Sequence, residues 1–138
     1  MIKHSNLALV IFISLIFSIC SAQKNISNKT KSSIEIRADI SKNMSESKLE
    51  LNKVFENCIE FLNDIGTSDA GNYKSFLIES QNGWEKYMES KCRMTKYQSR
   101  DAAQGGLAFY YLCRTELNNK RKTELKILLK DFKFEFNN

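Results

Sequence analysis

The chemistry open to this chain is bounded first by what it lacks. Its single histidine is His4, within the first few residues, so the rest has no Ser-His-Asp or Cys-His nucleophile pair and no imidazole metal ligand. No GxxxxGK phosphate loop and no GxGxxG fingerprint occurs. Cys58, Cys92 and Cys113 are scattered without zinc spacing, and Glu85 and Glu89 stand at i, i+4, the spacing of solvated neighbours on a helix. A two-carboxylate glycosidase would also need a sugar cleft, which three short helices rarely form. The expectation is a binding module: no enzyme, no catalytic residue, no cofactor and no metal.

The charged residues suggest what could bind. Glu56, Glu60 and Asp64 lie at i, i+4 and i+8 and form an acidic ridge along one helix face, with Asp69 following in what reads as a loop. Such a ridge is ordinarily a solvated surface, but it would also fit a basic protein partner. The chain as a whole is mildly basic, +5 at neutral pH. That falls short of the dense basic stripe of a nucleic-acid binder.

Residues 1–22 read as a secretory leader. Lys3 precedes an apolar run from Leu7 to Ile19 that is too short to span a bilayer, which takes roughly 20 residues. Cys20-Ser21-Ala22 offers small residues for cleavage before Gln23. A lipobox ending at Cys20 is the rival reading and the only route to a membrane anchor, but Ile19 stands where such a box requires a small residue. Loss of the leader takes Lys3 and leaves a 116-residue chain of net charge +4, the size of one domain. Export lets cysteines stay oxidised, and three is an odd number, so at least one has no partner within the chain.

Residues 23–44 are polar and weakly patterned, which suggests a flexible arm with a helical turn or two at Ile36, Ile40 and Met44. The first amphipathic helix is expected from Ser47 to Ile65, where Leu51, Val54, Phe55, Cys58, Ile59, Leu62 and Ile65 repeat at helical spacing. Ser47 with Glu50 fits a capping box, and Gly66 ends the helix ahead of a loop through Asn72. A second helix is expected over Tyr73–Gln98. In it Gln81 shares the apolar side and needs a buried partner, while Gly83 suggests close approach by a neighbour beside Trp84. A third helix is expected over Leu107–Asp131. The tail 132–138 alternates phenylalanine and charge, as either an edge strand or a fraying helix end.

Taken in order, Leu51-Asn52-x-x-Phe55, Gln81-x-x-Trp84-x-x-Tyr87-x4-Cys92, Gly105-Gly106-x6-Cys113 and Arg121-x-x-Glu124-Leu125 resemble the lysozyme inhibitor LprI N-terminal-like domain family, small secreted or lipid-anchored bacterial proteins. The resemblance spans most of residues 45–131. It implies an all-α fold, a compact helical hairpin or three-helix bundle pinned by one disulfide, Cys92–Cys113, in the periplasm or outside the cell. Leu51, Asn52, Gln81, Trp84, Tyr87, Gly105, Gly106 and Arg121 would be its mainly structural signature. It further implies a protein partner of the lysozyme or muramidase kind, and that enzyme's basic surface would make Glu56, Glu60, Asp64 and Asp69 the contact residues. The chain departs from the family pattern in having Phe55 where tyrosine is usual, Cys58 inside the first helix and no second cysteine pair upstream. A module touching anionic envelope polymer through the basic third helix (Arg114, Lys120, Arg121, Lys122, Lys126) is the alternative.

Overall fold

A chain without proline has no residue that forbids helix propagation, so helices run until a glycine or a polar turn stops them. The computed structural model describes residues 31–136. They form three long α-helices, α1 (Ser33–Ile65), α2 (Ser68–Gln98) and α3 (Gly105–Phe136), with no strand among the described residues. The leader, Cys20 and the start of the polar arm lie outside the described residues.

α1 begins well before Ser47. Its N-cap is Ser32, whose Oγ accepts from the Glu35 amide at 3.2 Å while the Glu35 carboxylate accepts from the Ser32 amide at 2.7 Å. This reciprocal box satisfies two of the orphan donors of the first turn. The expected arm is therefore corrected over residues 33–44, which are helix, and so is the expected cap at Ser47. Ser47 is buried mid-helix, its hydroxyl donating to the Met44 carbonyl at 2.8 Å and accepting from Asn118 Nδ2 at 2.9 Å. The early turns are thinly apolar, with Ile36, Ile40 and Met44 only half-buried. Arg37 helps to dock them by donating to the Ala103 carbonyl at 3.3 Å.

The α1–α2 turn is also tighter than expected. Gly66 takes the left-handed conformation, φ 66°, and Thr67 caps α2 by accepting from the Ala70 amide at 3.3 Å. Residues 68–72 are thus helix rather than loop, and Ala70 is fully buried. At the far end α3 runs on through Phe136. Phe132 is buried, Phe134 is exposed, and Phe136 meets Tyr73 edge-on at 5.8 Å. The alternating tail is helix, with its i, i+4 phenylalanines turned inward.

α3 packs against both other helices. One core cluster joins Leu51, Cys58 and Leu62 of α1 to Ala70 and Leu77 of α2 and Leu125 and Phe132 of α3. A second joins Met88 and Cys92 to Leu117, and Trp84 packs against both. Each large side chain taken out of water here contributes about 1.5–3 kcal/mol. Cys58 is a free, fully buried thiol pointing at the Leu125 carbonyl, 3.5 Å away, and burial pushes its pKa up. Leu112, near the start of α3, is half exposed.

Two glycines have opposite roles. A Cβ on Gly106 would run into the Lys96 backbone carbonyl, so this position fixes how closely α3 starts against the end of α2. At Gly83 a Cβ would meet nothing, which corrects the expected close approach beside Trp84. Gly106→Ala should therefore cost about 1–3 kcal/mol in chemical denaturation, whereas Gly83→Ala should add about 0.5–1 kcal/mol through helix propensity. Cys58 should resist a thiol reagent in the native, oxidised protein and react once denaturant is added, because only the thiolate is nucleophilic. Fast labelling of the native protein would contradict the burial.

Candidate functional site

The signature residues divide between scaffold and surface. Cys92 and Cys113 form the disulfide, S–S 2.09 Å and Cα–Cα 5.6 Å, joining the later half of α2 to the first turns of α3. Gly105 starts α3 from a left-handed φ of 73°, a conformation that only glycine adopts without strain. Two to three helical turns further along, Gln81 and Arg121 meet across the same two helices. Arg121 Nε donates to Gln81 Oε1 at 3.2 Å, one terminal nitrogen to Ser80 Oγ at 2.8 Å and the other to Glu124 at 3.1 Å. Gln81 in turn donates to Glu85 at 3.3 Å. With Gln81 and Arg121 only 5 % and 7 % exposed, the guanidinium is tolerated because its donors are distributed over three acceptors.

Leu51 belongs to the core, while Asn52 and Trp84 face a cleft of about 230 Å³ between α1 and α2, floored by Arg114 and Asn118 of α3. Glu85 and Glu89 stand on its rim, and both already accept hydrogen bonds. Glu89 takes the Tyr110 hydroxyl at 2.6 Å and Arg114 at 2.9 Å. Tyr87 is exposed, with the Lys91 ammonium 5.7 Å from its ring centre. Among the described residues no group of three His, Cys, Asp or Glu side chains gathers where it could hold a metal ion.

The acidic residues are arranged differently. Glu56, Glu60 and Asp64 are exposed along α1 and enter no ion pair among the described residues, whereas Glu50, Glu89, Glu116 and Glu124 are each paired with a cation. Asp69 is exposed on the first turn of α2, not in a loop, and opens on a separate recess with Tyr73, Phe76 and Glu135. The structure therefore brings three of the four expected contact residues into one row. It also places a basic, aromatic groove along the end of α2 (Arg93, Lys96, Tyr97, Arg100) that no reading of the sequence singled out. Its signal was present as cations at three- and four-residue spacing in a helix otherwise read for its apolar stripe.

These features define a small three-helix protein, in which the disulfide and the Gln81–Arg121 contact hold two of the helices together. The chain belongs to the lysozyme inhibitor LprI family, whose model matches residues 22–125. No curated protein and no solved structure matches it. No helix among the described residues is long and apolar enough to cross a membrane.

Arg121→Ala should cost about 3 kcal/mol in denaturant unfolding, since it strands the buried Gln81 amide and empties the guanidinium's volume. Arg121→Met, which keeps the volume, should cost distinctly less. Equal costs would mean that the polar network, and not the volume of the side chain, fixes α2 on α3.

Proposed function

We propose that this protein is an exported, stoichiometric inhibitor of a lysozyme-type muramidase, and that the α1 ridge of Glu56, Glu60 and Asp64 is its contact surface. Family membership supports the inhibitory class. The observation supporting the surface is that these carboxylates are the ones left unpaired in a row, in a chain whose net charge is positive. Animal lysozymes are generally basic, so a net-positive inhibitor must offer a local acidic face to be steered toward them.

The geometry suits that task. Three carboxylates at i, i+4 and i+8 rise about 12 Å along a helix, and the helix is anchored on its other side by Leu51, Cys58 and Leu62. Little backbone freedom is lost on binding such a face. Inhibition would then work by occlusion, with α1 laid over the enzyme's glycan-binding cleft and no chemistry on either side. Asp69 on the next helix would extend the contact around the hairpin end.

The alternative role for α3 as an anion-binding surface loses its main support. Arg114, Lys120, Arg121 and Lys122 are engaged by Glu89, Glu116, Glu124 and Glu50, leaving Lys126 alone of the five without a carboxylate partner among the described residues.

A titration of muramidase activity with the purified, oxidised protein should show dose-dependent loss that saturates near one equivalent and weakens as salt is raised. Glu60→Lys combined with Asp64→Lys should raise the inhibition constant at least about tenfold, with helical circular dichroism and unfolding midpoint unchanged. Full inhibition by that folded double variant would exclude the ridge as the contact surface. Absence of inhibition by the unaltered protein, across hen-type and bacterial enzymes, would exclude the function.

A further inference from the structure

The groove at the C-terminal half of α2 has a volume of about 720 Å³, within the range of ligand sites. Arg93 and Lys96 line it from one side of α2, Arg100 from the turn just after that helix, and Ser90, Met94, Tyr97 and Tyr110 stand beside them. Arg93 and Lys96 have no carboxylate partner among the described residues; Arg100 has the exposed Asp101 at 3.5 Å. Arg100 also donates to the Tyr97 carbonyl at 3.2 Å and lies 4.5 Å from the Tyr97 ring centre, which holds one face of that ring and leaves the residue 69 % exposed. The groove's own carboxylate, Glu89, is occupied by Tyr110 and Arg114.

We infer that this groove binds an anionic, carboxylate-bearing saccharide chain. Uncommitted cations answer the carboxylates, the tyrosine faces take the apolar faces of sugar rings, and Ser90 offers a hydroxyl partner. From Arg93 to the end of α2 at Gln98 the groove rises about 7.5 Å, more than one pyranose ring, and Arg100 extends it into the following turn. A lone phosphate is a poor fit, because it would leave most of the volume empty. A bilayer surface is a poor fit as well, since the lining offers Met94 alone as an aliphatic side chain to insert, with no Trp, Phe, Leu or Ile. The site does not depend on the ridge of α1, and would hold the protein on an acidic glycan whether or not it inhibits an enzyme.

Calorimetric titration of the whole oxidised protein tests this with three probes: a tetrasaccharide of alternating N-acetylglucosamine and N-acetylmuramic acid, uncharged chitotetraose, and vesicles of phosphatidylglycerol with phosphatidylethanolamine. The carboxylated tetrasaccharide should bind, and chitotetraose should bind more weakly. Arg93→Glu with Lys96→Glu should weaken binding by about tenfold or more, and Tyr97→Ala, at an exposed position that carries no core, by about fivefold to tenfold. No binding of the tetrasaccharide, equal binding of both sugars, binding to vesicles alone, or indifference to both variants would each overturn the inference. Muramidase inhibition by the Arg93→Glu/Lys96→Glu variant, measured in parallel, should be unchanged, which separates failure of this site from failure of the inhibitory surface.

Discussion

The tie between α2 and α3 is the constraint on which the rest of this fold depends. α2 buries only Ala70, Leu77, Gln81, Met88 and Cys92 over 31 residues, too little apolar surface to hold a helix that long by the hydrophobic effect alone. What it lacks in burial is supplied at fixed points: the Cys92–Cys113 bridge, the Gln81–Arg121 hydrogen bond and the Glu89–Tyr110–Arg114 cluster. The covalent point closes a loop of 21 residues, and by the chain-entropy account it disfavours the unfolded state by about 3 kcal/mol, a large share of a small domain's stability. The polar points act differently. They contribute modestly while intact but make any shifted register strand a buried charge, so they specify alignment more than they add stability.

That division explains which features the sequence disclosed. Apolar periodicity reports helices that bury a continuous stripe, so α1 was legible from Leu51 to Ile65, and Gly66 marked its end. It faded before Ser47 because the first turns of α1 are fastened by a capping box and by Arg37 reaching Ala103, bonds that leave no apolar signature. Ser47 misled for a related reason: a serine three residues ahead of a glutamate looks like a cap, and only a distant partner, Asn118, reveals it as a buried mid-helix hydroxyl. The phenylalanine tail carried two periods at once, and Tyr73 opposite Phe132 and Phe136 decided for the helical one. Gly83 and Gly106 could not be told apart in sequence, since the difference lies in whether the Lys96 carbonyl is near.

The candidate sites were legible as charge but not as availability. Glu56, Glu60 and Asp64 are no more acidic in sequence than Glu116 or Glu124; what distinguishes them is that they enter no ion pair among the described residues. The basic residues of α3 show the reverse. Read along the chain they form a cationic helix, yet folding sets a carboxylate against four of the five. Pairing depends on which faces meet, and that is a property of tertiary contacts between residues about 25 to 70 positions apart as well as of local spacing.

The two unpaired surfaces also lie far apart. α1 and α2 run antiparallel from the Gly66–Thr67 turn, and Lys74 reaching Asn63 sets their level. At 1.5 Å per residue the Arg93–Arg100 stripe lies about 30 Å along the bundle from Glu60, several times the screening length of about 8 Å at physiological ionic strength. A basic protein approaching the ridge is therefore attracted by the ridge and hardly repelled by the groove, even though the molecule carries net positive charge. Net charge is consequently a poor guide to partners here. On the proposed assignments, a cationic protein at the ridge and an anionic polymer at the groove would be held about 30 Å apart along the helices, with neither contact weakening the other electrostatically.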